Sequence, residues 1–434
     1  MPDRISIGLM GLGVVGAGVA NAIDAKADAI ANQVGCPVVV SRALVQNTNA
    51  TRAGLRAAVD LTTDPDAVLN DPDVTVVVEL MGGEQPALDY IKRAIASGKH
   101  VVTANKEVLA KHGPELFAAA AEQGVMVRFE ASVGGGIPII GPLMNDLAAN
   151  EFTAVNAVIN GTTNYMLTRM AGGGNLDYQT VLDEARALGY AEADPTADVD
   201  GIDAAFKLAI LASLAFHSTV RDTDVFREGI RRLTSADFAY AAELGYAVKL
   251  LATARLANGR IQARVHPAFL PVDHPLAKVD GVYNAVELEG DLVDWAMFQG
   301  PGAGAEPTAS AVLADIVAVA RSIASDSRLP SPVVAGNGFP IEPIDDLETK
   351  YYIRLRVYDR PGVLAQITTV FGDLEVSLAS FIQKEVGELG DVAEVVITTH
   401  VAKESAVQEA VWRLEALDSV SEIGNVVRIE ERSA

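Results

Sequence analysis

The chain contains 434 residues, of which half are apolar and 21% are charged, and its formal net charge is −23 at pH 7. This length predicts two or three domains, and the acidic balance argues against a nucleic-acid surface, because phosphate contacts need clustered Lys and Arg. Cys36 is the single cysteine, which excludes an intrachain disulfide and a cysteine zinc cluster and fits a reducing cytoplasm.

The first apolar segment, Ile5–Ile23, carries no charge and is long enough to imitate a membrane or signal helix. Five glycines interrupt it, and a strand that runs into a glycine turn and then a helix explains them better. The turn is a G-x-G-x-x-G in the context that a dinucleotide fingerprint requires, Gly11-Leu12-Gly13-Val14-Val15-Gly16. We therefore expect a pyrophosphate at the helix N-terminus and no membrane partner, the alternative being a plain strand–helix turn.

Up to about residue 132, short β-branched runs alternate with alanine-rich helical stretches, which predicts a parallel, doubly wound sheet. We assign an α/β Rossmann domain to residues 1–133, and residues 303–328, with a helix from Ala309 to about Ser325, return to it. The predicted strands are Ile5–Met10, Val38–Val45, Val74–Leu80, His100–Thr103 and Val125–Glu130, with helices at Pro86–Ser97 and Gly113–Gln123.

Residues 134–302 form a less regular stretch, with a long apolar helix near Ile202–Phe216, which predicts a separate α+β domain. Four prolines within Leu329–Leu347 predict an extended linker over residues 329–348. Residues 349–434 follow the order βαββαβ, which predicts a ferredoxin-like unit. Its strands are predicted at Tyr351–Tyr358, Val376–Lys384, Val392–Thr399 and Ile423–Ile429, and its helices from Pro361 and over Lys403–Leu417.

The end of the second predicted strand bears on the choice of dinucleotide. NAD enzymes often carry an acid there to bind the ribose diol, whereas here the strand runs into Val45-Gln46-Asn47-Thr48-Asn49. The missing acid removes a repulsion of the 2′-phosphate, and Arg52 or Arg42 could supply a cation, unless both are ordinary solvated arginines. We favour NADP and leave NAD open.

Two lysines have the surroundings of catalytic groups. Lys106 follows the predicted strand His100–Thr103 at its carboxyl end, where open α/β sheets bind ligands, although a solvated loop lysine is the plain alternative. Lys207 lies in the apolar helix one turn after Asp203, where a lysine is costly unless it is paired. The pair is either a structural salt bridge or a site in which carboxylates bind an ammonium group and keep Lys207 charged near a reacting oxygen.

The stretch that leads to Lys207 carries a family resemblance. It resembles the signature of homoserine dehydrogenases at every position, Ala185-x3-Gly189-Tyr190-Ala191-x2-Asp194-Pro195-x2-Asp198-Val199-x-Gly201-x-Asp203-x3-Lys207. Four other motifs also fall in the family's order, namely Gly11–Gly16, Thr103–Lys106, Glu130–Pro138 and Gly300–Gly304. The resemblance therefore covers residues 4–325. The C-terminal unit resembles an ACT domain, the regulatory module of many monofunctional bacterial members.

The resemblance implies an activity and a set of roles. The reaction would be the reversible, NAD(P)H-dependent reduction of L-aspartate 4-semialdehyde to L-homoserine in threonine, methionine and isoleucine biosynthesis. Lys207 would be the general acid, assisted by Lys106. The substrate would bind Glu192, Asp203, Asp198 and Lys106. The cofactor would bind Gly11, Leu12, Gly13, Val14, Val15, Gly16, Arg52, Gly82, Lys106, Gly189, Glu192, Gly302 and Gly304.

Three further properties follow from the resemblance. A monovalent cation such as Na⁺ would bind through backbone at Glu130, Val133, Gly135 and Ile137, unless this glycine loop only turns the chain. An amino-acid effector, with threonine suspected, would bind the ACT domain at Asp359, Gly362, Val363, Leu364 and Gln383, beside Ser377, unless Pro361-Gly362 merely starts a helix. The middle domain would form a homodimer, and pairing of ACT domains could give a tetramer.

Other interpretations explain less of the chain. A phosphoglycerate dehydrogenase with an ACT tail would need a His, Arg and Glu set that cannot be placed in this sequence. A phosphorylating semialdehyde dehydrogenase would need a nucleophilic cysteine, and Cys36 lies just ahead of the second predicted strand. A non-catalytic amino-acid sensor would keep the Rossmann fold without needing both Lys106 and Lys207.

Overall fold

The computed structural model describes residues 2–52, 54–174, 176–327, 338–385 and 392–431, and for residue 385 it describes the backbone only. The chain forms two compact units, each of three segments. The first unit comprises Met1–Ile159, Phe206–Asp224 and Tyr283–Phe339. The second comprises Asn160–Ala205, Val225–Val282 and Pro340–Ala434.

The helices and strands follow in chain order. The first part holds β1 (Ile5–Met10), α1 (Val14–Ala25), α2 (Ala27–Val34), β2 (Val38–Leu44), β3 (Asp60–Thr62), α3 (Asp66–Leu69), β4 (Val74–Glu79), α4 (Ala87–Ala96), β5 (His100–Thr103), α5 (Lys106–Gln123) and β6 (Val127–Arg128). The middle part holds β7 (Phe152–Val158), α6 (Gly161–Ala171), α7 (Tyr178–Ala187), α8 (Thr196–Val199), α9 (Ile202–Ala215), β8 (Phe226–Arg227), α10 (Ser235–Glu243), β9 (Tyr246–Ala257), β10 (Arg260–Pro271), β11 (Tyr283–Gly290), β12 (Asp294–Pro301) and α11 (Ala305–Ala324). The last part holds β13 (Glu348–Tyr358), α12 (Val363–Asp373), β14 (Leu378–Glu385), β15 (Val392–Thr399), β16 (Ala402–Lys403), α13 (Glu404–Glu415) and β17 (Val420–Ile429).

The first unit is built on a parallel six-stranded sheet in the order β3-β2-β1-β4-β5-β6. Every residue of β1 is buried, because helices cover both faces of the sheet, and this explains the uninterrupted apolar run. The order reverses between β1 and β4, so a crevice for a ligand forms at their carboxyl ends. The predicted α/β Rossmann fold is confirmed.

Helix α11 completes this unit by packing against α1 and α2. It is long and apolar enough to cross a membrane by length and composition alone. Its apolar face, which includes Ala309, Val312, Ile316 and Val319, is buried in the same core as β1, so packing inside this unit accounts for its composition.

The second unit contains an extended sheet in the order β9-β10-β17-β13-β15-β14. Its last four strands, with α12 and α13, have the chain order βαββαβ and the spatial order of a ferredoxin-like unit, so this prediction is also confirmed. Two buried arginines join the strands of this ferredoxin-like unit to the rest of the second unit. Arg354 donates to Asp237 at 2.9 Å, and Arg428 donates to Glu228 at 2.7 Å.

Three of the differences between the structure and the sequence prediction lie in the first unit. Helix α5 begins at Lys106 and not at Gly113, because the side chain of Asn105 accepts a hydrogen bond from Val108 N and caps the helix there. Strand β6 is shorter than predicted and gives way to a 3₁₀ turn at Glu130–Ser132. Strand β3 was not predicted, since it is a three-residue edge strand. Of the predicted linker, residues 329–337 lie outside the described residues.

Asp315 on α11 is a buried carboxyl that makes stability depend on pH. It accepts a 2.7 Å hydrogen bond from Glu130 N, and burial raises its pKa from 3.8 to about 7. The folded protein therefore binds this proton more tightly than the unfolded chain does, and its stability falls as the pH rises from about 4 to about 7. We expect Asp315→Asn, which keeps an acceptor for Glu130 N, to raise Tm at about pH 8 and to leave it nearly unchanged at or below about pH 4. Thermal denaturation at the two pH values checks this, and an equal shift at both would contradict it.

Candidate active site

The dinucleotide turn lies between β1 and α1, at the crevice. Gly11 has a φ of +103°, and a Cβ on Gly16 would lie 2.4 Å from Gly11 O, so both positions require glycine. A Cβ on Gly13 would meet no atom within 4 Å, which leaves open space at the start of α1. No side chain caps this helix end, so its first N–H groups are available to an anion. These features fit the pyrophosphate of a dinucleotide.

Lys106 is the first residue of α5, beyond the carboxyl end of β5, and it is half-buried. The preceding residue, Asn105, donates to Gly83 O at 2.7 Å and thereby joins this turn to the glycine turn that follows β4. Further along α5, the Lys111 ammonium lies 5.7 Å from the ring centre of Phe206, the residue before Lys207. The helix that begins with Lys106 thus also contacts the helix that carries Lys207.

Lys207 is buried in α9, with 9% of its surface exposed. Its Nζ donates a 2.8 Å hydrogen bond to the carbonyl oxygen of Ile159, just after β7. A buried ammonium needs such acceptors, because losing water without replacement costs several kcal/mol. The structure therefore holds this nitrogen in a defined place at the end of β7.

Asn160, the next residue in the chain, binds two carboxylates. Its Nδ2 donates to Asp198 Oδ1 at 2.7 Å and to Asp203 Oδ2 at 2.9 Å, while its Oδ1 accepts from Thr163 N and starts α6. Two carboxylates that share one amide repel each other, and a cationic group would relieve the repulsion. The arrangement is therefore suited to an ammonium ligand.

The lysine and the two carboxylates bind consecutive residues of the chain. Ile159 and Asn160 are consecutive, and Asp203 and Lys207 are one turn apart on α9, so they share a helix face. The structure thus brings Asp198 and Asp203 together on the amide of Asn160. Sequence analysis missed Asn160; its signal is an asparagine between a strand and a Gly-Thr-Thr helix start, the pattern of an N-cap.

Comparison with known proteins gives one answer along the whole chain. Residues 11–130 match the family model of the homoserine dehydrogenase NAD-binding domain, residues 138–317 match that of homoserine dehydrogenase, and residues 351–418 match that of the ACT domain. The homoserine dehydrogenase of Synechocystis sp. is 44% identical and that of Pseudomonas aeruginosa 43%, each over 98% of this chain and at least 98% of its own length. The chain belongs to the homoserine dehydrogenase family.

Solved structures agree with this assignment. The homoserine dehydrogenase of Thiobacillus denitrificans has a TM-score of 0.93 at 44% identity, over 99% of this chain and 98% of that one. A hyperthermophilic archaeal homoserine dehydrogenase in complex with NADPH has a TM-score of 0.63 at 26% identity, over 76% of this chain and 99% of that one. The chain is therefore an NAD(P)-dependent oxidoreductase of amino-acid biosynthesis that carries an ACT domain.

The other residues that the family resemblance implicates lie in loops and turns. Glu192 is exposed, three residues after Gly189, which has a φ of +76°. Gly302 is buried against Asn284, and a Cβ on Gly135 would lie 2.4 Å from Gly302 O, so these two glycine loops are in direct contact. The other predicted positions, Gly82 and Gly304, are exposed loop glycines.

The two candidate arginines for a 2′-phosphate have different partners. Arg42 pairs with Asp60 at 3.0 Å and donates to Ala67 O. Arg52 donates to the carbonyl oxygens of Asn47 and Ala50, and so holds the loop that follows β2. The partners of Arg52 are neutral carbonyl groups, whereas Arg42 is paired with an acid. The positive charge of Arg52 beside the predicted ribose position is therefore not neutralised, and Arg52 is the better candidate to bind a 2′-phosphate.

The predicted cation loop has well-defined geometry. The Glu130 carboxylate accepts hydrogen bonds from three backbone amides, those of Ile139, Ile140 and Gly141, at 2.6 to 2.9 Å. Its carboxylate is therefore engaged, and a cation would have to use backbone oxygens, as the family resemblance implies. Val133, Gly135 and Ile137 are buried beside it. Within the described ranges, no group of three or more His, Cys, Asp and Glu could hold a metal ion.

The residues predicted for an effector meet at one edge of the ACT domain. Gln383 donates to Asp359 at 3.3 Å, and Gly362 starts α12 with a φ of +91°. The side chain of Leu364 is exposed, whereas that of Val363 is buried in the core of the ACT domain. Val363 can therefore offer a ligand only its backbone.

Proposed function

We propose that the chain catalyses the reversible, NADP-linked reduction of L-aspartate 4-semialdehyde to L-homoserine, with Lys207 as the general acid. The position of the Lys207 ammonium supports this most directly. It is buried, it is held on Ile159 O, and it lies one turn from a carboxylate that shares Asn160 with a second one.

When bound, the reduced nicotinamide supplies the hydride that the aldehyde carbon accepts. The aldehyde oxygen gains charge at that moment, and Lys207 Nζ stabilises the charge and donates the proton that completes the alcohol. In the reverse direction the neutral amine accepts the hydroxyl proton. Lys106, at the crevice, assists proton transfer or substrate binding.

The substrate's ammonium group is held by Asp203 and Asp198, whose mutual repulsion it relieves, and Glu192 assists from the loop after α7. We favour NADP because the loop after β2 offers Arg52 and no acid to the ribose. The archaeal relative solved with NADPH supports the same choice.

Steady-state kinetics with L-homoserine test this proposal. We expect turnover with NADP at a higher kcat/KM than with NAD, and a lower rate when L-threonine is added. A folded chain that oxidises homoserine with neither dinucleotide would overturn the proposal, whereas a preference for NAD would overturn only the role of Arg52.

We also propose feedback control by threonine through the ACT domain, and one segment, residues 228–237, supports a route for it. On the ACT side, Arg428 bonds Glu228 and Arg354 bonds Asp237. On the other side, Arg231 bonds Asp200 at 2.5 Å, two residues from Asp198. A shift of the ACT strands would therefore reach the substrate carboxylates.

A point substitution tests this regulation better than truncation. Deleting the chain from about Lys350 onward removes β17, which pairs with β10, and so exposes a buried strand edge. We expect Gln383→Ala in the full chain to raise the threonine concentration for half-inhibition about tenfold, through loss of a hydrogen bond to a charged ligand. Glu409→Ala, on the ACT helix α13, is the control, because the Glu409 carboxylate pairs with Arg413 one turn further along the same helix. Inhibition curves that coincide for all three proteins would contradict the proposed site.

We further propose a cytoplasmic homo-oligomer, dimer or tetramer, with a monovalent cation such as Na⁺ on the Glu130–Ile137 loop. The hairpin of β11 and β12 supports association, because it exposes Tyr283 and Trp295, and aromatic side chains are enriched in protein interfaces.

A further inference from the structure

Glu79 is a buried carboxyl at the centre of the Rossmann sheet. It is the last residue of β4 and lies in register with Met10 of β1 on one side and with Thr103 of β5 on the other. None of its surface is exposed. It therefore stands where the strand order reverses, between the dinucleotide turn and the turn that carries Lys106.

Each of the two carboxylate oxygens of Glu79 binds a different turn. Oε1 accepts a 2.7 Å hydrogen bond from Met81 N, in the glycine turn after β4, and Oε2 accepts a 2.6 Å bond from the hydroxyl of Thr103. The same hydroxyl accepts from Asn105 N at 3.0 Å. Asn105 in turn caps α5 and donates to Gly83 O, which closes a ring of bonds around the residue before Lys106.

A carboxyl in this place is costly. Burial raises the pKa of Glu79, because the ionised form loses its water. Two other strands of the same sheet, β1 and β2, end in buried apolar residues, Met10 and Leu44, at this edge. The fold of the sheet therefore does not require an acid here, and the hydrogen bonds to the two turns are what distinguish this strand end.

We propose that Glu79 is a positioning residue for Lys106. By fixing the Thr103–Asn105 turn against the glycine turn at Met81–Gly83, it sets where α5 begins and hence where the Lys106 ammonium lies in the crevice. This inference rests on the proposed function, since it assigns Glu79 to the reaction in which Lys106 assists.

A double-mutant cycle with Lys106 tests this. We expect Glu79→Gln to lower kcat for homoserine oxidation about tenfold, since a displaced catalytic group costs turnover more than cofactor binding, and to change the KM for NADP less than about threefold. In a Lys106→Met background the same substitution should lower kcat less than about twofold, because the ammonium group that Glu79 positions is already absent. The matched control is Glu84→Gln, the same acid-to-amide change five residues further along the chain. The Glu84 carboxylate binds Lys111 and His112, and this variant should keep kcat.

Three outcomes would overturn the inference: an unchanged kcat in folded Glu79→Gln, the same loss in both backgrounds, or an equal loss in Glu84→Gln. If Glu79→Gln does not fold, Thr103→Val replaces it in the cycle, because it removes the hydroxyl that joins Glu79 to Asn105. A wild-type chain that does not oxidise homoserine defeats the proposed function instead. Hydrogen exchange then still tests the positioning, since the Met81 and Asn105 amides should exchange faster in the variant, and unchanged exchange would contradict it.

Discussion

Replacing Lys207 by alanine is expected to lower kcat for homoserine oxidation about a thousandfold and to leave the KM for the dinucleotide within about threefold. In the proposed mechanism the ammonium both stabilises the developing charge on oxygen and carries the proton, so its loss removes two contributions to the same transition state. The proposed dinucleotide site lies at the start of α1, on a different part of the chain, so the affinity for the dinucleotide should be unaffected. Initial-rate kinetics with each substrate varied in turn measure both quantities.

The control for this experiment is another buried lysine that also donates to backbone carbonyls. Lys99 Nζ donates to Asp71 O and Val74 O, both at 2.6 Å, and it precedes β5 at the amino end, away from the crevice. Lys99→Ala should lower Tm with little change in kcat. Near-normal turnover in Lys207→Ala, or an equal loss in both variants, would show that Lys207 is structural.

Replacing Asp203 by asparagine is expected to raise the KM for homoserine about a hundredfold and to leave the KM for the dinucleotide unchanged. A change of about a hundredfold is the upper end of the effect expected when a hydrogen bond to a charged group is lost. Asparagine keeps an oxygen that can accept from Asn160, so the local fold should survive. The loss then reports the charge that faces the substrate's ammonium group. Kinetics with homoserine varied at saturating dinucleotide measure it.

A nearby acid supplies the comparison. Asp200 lies three residues before Asp203 and pairs with Arg231 rather than with Asn160. Asp200→Asn should therefore change the homoserine KM, measured without threonine, less than about threefold, as exposed ion pairs contribute little. If the two variants raised KM equally, the assignment of the ammonium site to Asp203 would be wrong.

Local patterns were sufficient to predict much of the site. Asp203 and Lys207 could be paired from the sequence, because four residues in a helix fix their common face. The glycine turn at Gly11–Gly16 could be placed because an uncharged strand precedes it and a helix follows. These inferences depend on geometry within a single element or two adjacent ones.

The residues that were missed act across long stretches of chain. Asn160 meets Asp203 over 43 positions, and Glu79 meets Thr103 over 24. The sequence spacing does not indicate either of these pairs. The strand order of the sheet brings Glu79 and Thr103 together, and the position of α9 brings Asp203 to Asn160. The middle of the chain was likewise predicted only as α+β, because β7 pairs with β11 across more than a hundred residues.

The most direct test of the account is the rate of NADP reduction by the purified wild-type chain with L-homoserine and with 4-hydroxybutyrate, the same hydroxy acid without the 2-amino group. We predict rapid reduction with homoserine and a kcat/KM for 4-hydroxybutyrate lower by at least about a hundredfold, because Asp198 and Asp203 would have no ammonium to bind. Equal rates with the two alcohols, or no reduction with homoserine by a folded chain, would contradict the account.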